Sequence, residues 1–340
     1  MKKWLIIIFL VFLLVTGGLG AFGYLKLWSP ATQAEMDFYV PTGSSMEDFR
    51  TRLLDSELIS DADAFDLGVK VLRMDKEPKP GKYYVEKGWN ILKLLRKFRA
   101  GDAEPVKVTF HNVRTLEAVA GKASLNIEAD SAEILAALQN AEVWKDNAVF
   151  DATFCNIIPN TYEFFWNTSG KQFAERMAKE ADKFWSEERL KKAEEMGLSP
   201  CEVINLAAIV QEEQGAILDE QPRIAGLYYN RLRKRMLLQA DPTLKYAAGD
   251  FTIKRLLNYH KALESPYNTY KYAGLPPTPI VIPEISAIDA VLNYESHTYY
   301  YMCAKEDFSG YHNFAKTLTQ HNINALRYQR ALSREMRKNR

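Results

Sequence analysis

The alternation of apolar and polar residues divides the chain into four stretches. Trp4 to Leu25 contains no charged residue, and Lys2 and Lys3 precede it. A helix of about 22 residues rises about 33 Å, enough to cross the hydrocarbon core of a bilayer. Lysines on the leading side hold that end in the cytoplasm and predict export of the remaining chain. Gly17, Gly18 and Gly20 offer small residues to a peptidase, so cleavage as a signal peptide is the competing reading. The run is long for a signal segment and favours an uncleaved anchor over residues 1–26. No cysteine lies near its end, which excludes a lipoprotein attachment there.

After a short linker over 27–36, the period changes repeatedly. Phe38-Tyr39-Val40-Pro41 reads as a strand, and Ser44 and Ser45 can cap a helix from Met46. Met46, Phe49, Leu53 and Leu54 keep helical spacing. A second helix is expected over 62–72, a turn at Pro78-Lys79-Pro80-Gly81, a strand at Lys82 to Val85 and an amphipathic helix over 90–99. The stretch 37–101 thus reads as a βααβα unit, a pattern suited to binding or spacing. A new strand at Val106 to Phe110 opens the last stretch, 102–340. Helices are expected there over 115–122 and 131–140, with one long charged helical region over 172–197. Beyond 240, Pro, Tyr, Asn and Thr predict short strands and loops. The fold class expected is α+β: a transmembrane helix, a small α+β module and a larger mixed domain.

Composition narrows the function. Forty-four Lys+Arg against 43 Asp+Glu leave a net charge of +1, so broad phosphate neutralisation of nucleic acid is not expected. Cys155, Cys201 and Cys303 form no CxxC pair, and each reads as a small buried hydrophobe. No HExxH, GxSxG or P-loop motif is present. No metal or cofactor is expected.

One segment carries candidate chemistry. Ser199-Pro200-Cys201-Glu202 starts a helix that runs through VINLAAIVQEEQ to Gly215. With Leu206 at zero and about 100° per residue, Val203 falls at about +60°, Ile209 at about −60°, Val210 at about +40° and Glu213 at about −20°. Glu213 therefore sits inside the apolar stripe, whereas Glu212 and Gln211 lie off it and Glu212 is expected to be solvated. An unpaired carboxyl on an apolar face should hold its proton to higher pH, which suits a general acid. A frayed last turn, or an ion pair with Arg223 or Arg231, is the structural alternative.

The neighbouring segments sharpen the choice. AAIVQEEQ, YYNRL and LQADPTLKY, with PNTYEF at 159–164, YNTY at 267–270, GLPPTPI at 274–280 and His312-Asn313-Phe314, keep the order and spacing of the endolytic murein transglycosylase family, the YceG-like proteins. The resemblance covers nearly the whole chain, including VPTGSS and PGKYYV in the 37–101 module, which is similar to a LysM unit. It implies a lytic transglycosylase in the bacterial inner membrane, its bulk on the periplasmic side, that cuts nascent peptidoglycan between MurNAc and GlcNAc and leaves 1,6-anhydro ends. It also implies partnership with peptidoglycan synthases of elongation or division. Glu213 matches the second acid of the family's IVExE pattern and is the implied catalytic residue. Gln211 stands where the first acid is expected, and Asn160 where members often have Asp, so neither position supplies a carboxylate.

Substrate contacts are expected from Gln239, Asp241 and Thr243, from Tyr267, Asn268, Thr269 and Tyr270, and from Asn230 and His312. For each, a purely structural role stays open, as it does for His321. Two rivals remain: a hydrolytic muramidase with Asp241 as nucleophile or base, and a non-catalytic wall-binding scaffold.

Overall fold

The computed structural model describes residues 2–145, 153–253 and 256–338. It contains α1 (Lys2–Trp28), β1 (Met36–Val40), α2 (Met46–Asp55), α3 (Ala62–Leu72), β2 (Gly81–Val85), α4 (Ile91–Ala100), β3 (Pro105–Thr109), α5 (Leu116–Ser124), α6 (Ser131–Leu138) and β4 (Thr161–Phe165). The later elements are α7 (Gly170–Phe184), α8 (Glu187–Met196), α9 (Pro200–Glu213), α10 (Gln221–Arg233), α11 (Asp241–Ala248), α12 (Asn258–Lys261), α13 (Ile285–Leu292), β5 (Tyr301–Ala304), β6 (His312–Ala315) and α14 (Leu318–Lys338). The chain divides into two compact units. Unit 1 is Met1–Val108 with Ser124–Asp130 and Tyr162–Ser169; unit 2 holds the remainder.

In unit 1, β1 pairs antiparallel with β2, Phe38 opposite Tyr83 and Val40 opposite Gly81. Their inward faces meet Phe49, Leu53, Phe65, Leu94, Leu95 and Phe98, all buried. Local chemistry sets each helix start. Ser45 and Asp48 form a capping box, the Asp61 carboxylate accepts from the Ala64 N–H, and the Asn90 side chain accepts from the Lys93 N–H. Gly101 closes α4 at φ +74°. The expected βααβα order is the one observed.

Among the described residues one helix, Trp4–Trp28, is apolar and long enough to cross a membrane. The side chains of Lys2 and Lys3, on which the expected orientation rests, lie outside the described part. The end of α1 and the residues after it make contacts within unit 1. Leu27 is 5% exposed and packs in the unit 1 core, and Lys26 Nζ lies 2.6 Å from the Asp61 carboxylate. Thr32 is buried, its hydroxyl donating to the Glu86 carbonyl at 2.7 Å.

Unit 2 is built around α9. Val203 to Val210 are all buried, so the helix is enclosed over two turns rather than along one stripe. α8, α10, α11 and α13 pack against it. The 172–197 region, expected as one helix, is two: Trp185 is buried and the Ser186 side chain accepts from the Arg189 N–H to start α8. Beyond 240 the structure adds helices that the composition concealed, above all the 21-residue α14. The antiparallel pair β5–β6 sets Cys303 opposite Asn313 and Ala304 opposite His312.

The cysteine expectation is corrected. Cys155 and Cys201 form a disulfide, Cα atoms 5.3 Å apart, tying a 3-10 turn (Thr153–Asn156) to the first turn of α9. Cys303 is the free thiol. The expectation for Glu212 is also corrected: its carboxylate accepts from Arg114 Nη2 at 2.9 and 3.0 Å and is partly shielded from water. Spacing along one helix cannot reveal a cation that a distant segment delivers.

Candidate active site

Glu213 is the last residue of α9, where the enclosed helix emerges at a cleft of about 340 Å³. Gln214 ends the helix, its N–H still bonded to the Val210 carbonyl. The Gln214 side chain then fixes the exit. Its Oε1 accepts from the Ile217 N–H, and its Nε2 donates to Glu220 at 2.9 Å and to the Gly310 carbonyl at 3.0 Å. The Glu213 carboxyl is thereby held on a rigid element.

The electrostatics of that carboxyl have a clear order. Desolvation dominates and pushes its pKa up from 4.5 to about 7. The Tyr228 hydroxyl, donating to Glu213 Oε1 at 2.6 Å, opposes the shift; the charge of Asp241 adds to it. Neither Arg223 nor Arg231 is its partner. Arg223 pairs with Glu295 at 2.9 Å, and Arg231 donates to backbone carbonyls.

Around Glu213 the cleft is lined by Tyr228 and Arg231 of α10, Gln239, Asp241 of α11, Tyr270, Tyr301 to Ala304 of β5, His312 of β6 and His321 of α14. Of the sequence candidates, the structure brings Gln239, Asp241, Tyr270 and His312 to Glu213. The Tyr270 hydroxyl donates to Asp241 Oδ1, and burial with this carboxylate raises the tyrosine's pKa. Gln239 adopts φ +53°, a conformation unusual without glycine. The His312 N–H donates to Glu220 Oε1, and its Nδ1 lies 2.8 Å from Oε2 of that buried carboxylate.

The other candidates are absent from the cleft lining. The buried Thr243 hydroxyl meets the Thr269 hydroxyl at 2.8 Å, and Thr269 Oγ1 accepts from the Ala240 N–H. Asn268 donates to the Lys261 and Leu263 carbonyls. The Tyr267 hydroxyl bonds Thr278. Asn230 Nδ2 donates to the His297 carbonyl at 2.8 Å. These side chains hold the loops that carry Gln239, Tyr270 and β5.

Sequence reasoning did not single out Tyr228 or Glu220. Tyr228 stands in the YYNRL segment, but its contact with Glu213 depends on how α10 packs on α9. Gly226 permits the approach of the next segment: a Cβ there would stand 2.2 Å from the Glu295 carbonyl oxygen. That close passage delivers residues 297–304 to the cleft.

A carboxyl whose pKa is raised to about 7 at the wall of a polar cleft is suited to proton transfer, the equipment of an enzyme. The chain belongs to the YceG-like family, whose sequence profile matches residues 38–327. It is 29% identical over 324 residues to the endolytic murein transglycosylase of Bacillus subtilis, covering 89% of this chain and 88% of that protein. It is 27% identical to the endolytic murein transglycosylase of Streptococcus pneumoniae D39, over 86% of this chain and 59% of that longer protein. The crystal structure of a YceG-like protein from Listeria monocytogenes superposes with a TM-score of 0.56 at 27% identity, covering 85% of this chain and 98% of that one.

Proposed function

We propose that this chain is an endolytic murein transglycosylase that cleaves the MurNAc–GlcNAc bond of peptidoglycan strands and leaves 1,6-anhydro-MurNAc ends. The observation that carries the reading is Glu213, a desolvated carboxyl whose pKa is raised to about 7 inside a polar cleft. Protonated Glu213 donates to the glycosidic oxygen, and the bond breaks through an oxocarbenium-like state. The resulting carboxylate takes the proton of the MurNAc C6 hydroxyl as that oxygen closes on the anomeric carbon. The nucleophile is tethered to the substrate, so its effective concentration is high. Tyr228 orients the carboxyl and steadies its charged form between the two proton transfers. Gln239, Asp241, Tyr270 and His312 contact the strand; Thr243, Tyr267, Asn268, Thr269 and Asn230 support the loops that present them.

In this reading α1 anchors the protein in the bacterial inner membrane with the rest on the periplasmic side, and the Cys155–Cys201 disulfide suits an oxidising compartment. The 37–101 stretch serves as a LysM-like module, with 102–340 as the catalytic domain. Action on nascent strands would terminate their elongation beside the synthases that make them. Asp241 in the same cleft keeps a hydrolytic muramidase as the second reading. Digestion of purified sacculi followed by mass spectrometry separates the two. Anhydro ends from the wild type, with Glu213→Gln slower by roughly 10²–10⁴-fold, are expected; reducing ends would overturn the lytic mechanism in favour of hydrolysis.

A further inference from the structure

Arg231 is 6% exposed, and its hydrogen-bond partners among the described residues are backbone carbonyls and one amide, with no carboxylate in an ion pair with it. Nε donates to the Tyr300 carbonyl at 2.6 Å. Nη1 donates to the Leu237 and Leu238 carbonyls at 3.0 and 2.8 Å, and reaches Gln239 Oε1 at 3.4 Å. Nη2 makes no hydrogen bond among the described residues, although the side chain lines the Glu213 cleft. A neutral amide could serve carbonyls without the cost of burying a charge, and a buried guanidinium normally has an anion opposite it. Glu213 and Asp241 line the same cleft without an ion pair to Arg231; its charge acts on the Glu213 carboxyl from a distance, and the Tyr301 ring lies 5.3 Å from the guanidinium carbon. Arg231 is also the only Arg or Lys among the described residues that line the cleft.

We propose that the open Nη2 edge of Arg231 receives a carboxylate carried by the glycan strand, making Arg231 a specificity-determining residue of the Glu213 cleft. The proposal rests on the glycan-strand reading of the site. Gln239, bent into its left-handed conformation beside Nη1, fixes the plane of the fork, so that the free edge is presented in one orientation. Two carboxylates share this chemistry: the lactyl group of a MurNAc stripped of its stem peptide, and the acids of the stem itself, where the lactyl carbonyl is an amide.

The test compares strands with and without charge on the full-length protein in detergent. Stripped strands and peptide-bearing strands are each prepared with native carboxylates and with carboxylates converted to neutral methylamides. The expected result is a KM raised roughly ten-fold or more by neutralisation in one strand type, with kcat within about two-fold, since a charge-assisted hydrogen bond made before the chemical step contributes to binding. The strand type that shows the loss identifies the source. In Arg231→Met this charge preference should disappear, and in Arg231→Lys part of it should return. Equal KM for charged and neutral strands of both types, with cleavage intact, overturns this proposal and leaves the enzymatic reading standing. No cleavage of any strand by the wild type overturns both.

Discussion

The Tyr228 hydroxyl and the burial of Glu213 pull one carboxyl in opposite directions, and the balance sets when it holds a proton. Desolvation raises its pKa and the phenol's hydrogen bond lowers it, so Tyr228→Phe should move the alkaline limb of the pH–rate profile to higher pH. The same variant should lower kcat, because the carboxylate formed after proton donation loses its donor. A profile whose alkaline limb stays in place would detach Tyr228 from the titration. The raised pKa also has a cost in stability. The unfolded acid titrates near 4.5 and the folded one near 7, so the penalty is small below pH 4.5, grows through that interval and is complete above it. It amounts to roughly 3 kcal/mol at full extent. Glu213→Gln should therefore raise Tm at pH 8 and have little effect at pH 4.5, measured by scanning calorimetry at both. The helix that carries Glu213 was legible from its own cap and length, although it is enclosed on all sides rather than along the expected stripe. Tyr228 and the clasp on Arg231 were not, since both depend on where α10 and the 297–304 segment come to rest.

Elements reveal the same division between local and distant causes. The starts of α2, α3, α4 and α9 were readable because their caps lie within three residues of the helix they begin. The break between α7 and α8 was concealed by charges that continue across it. α14 was missed because it buries little: Leu326 and Met336 are exposed, and Asn324 is its one buried residue among those described. The disulfide was invisible for another reason, as 46 residues separate its cysteines. Closing a loop of that length restrains the unfolded chain by about 2–4 kcal/mol. Reduction, or the double replacement of Cys155 and Cys201 by Ala, should lower the urea midpoint accordingly, and Cys303→Ala should not. Gly226→Ala should damage activity more than its size suggests. The new Cβ meets the Glu295 carbonyl and displaces the segment that leads to β5, to be read as a loss of kcat/KM alongside a circular dichroism melt.

At the scale of the whole molecule, α1 and the folded part of unit 1 share residues. Lys26 is salt-bridged to the N-cap of α3, and Leu27 lies in the core that β1, β2 and α4 enclose. A truncation that removes residues 1–24 should give a soluble protein with unit 1 intact. Removing residues 1–28 should cost a further 2 kcal/mol or so, roughly the value of burying one leucine, visible as a lower Tm. Equal melting of the two would mean that the end of α1 contributes nothing to unit 1.

That shared turn matters if α1 spans a bilayer, as proposed above. A helix longer than the hydrocarbon layer relieves the mismatch by tilting, and a swivel after the helix would let the rest of the chain ignore the tilt. Here the chain after α1 is tied to the rest of unit 1, because Ala31 and Thr32 both donate backbone N–H groups to the Trp89 carbonyl. Membrane thickness would thus be converted into the angle at which unit 1 leans over the lipid surface, a mechanical input delivered from the bilayer itself.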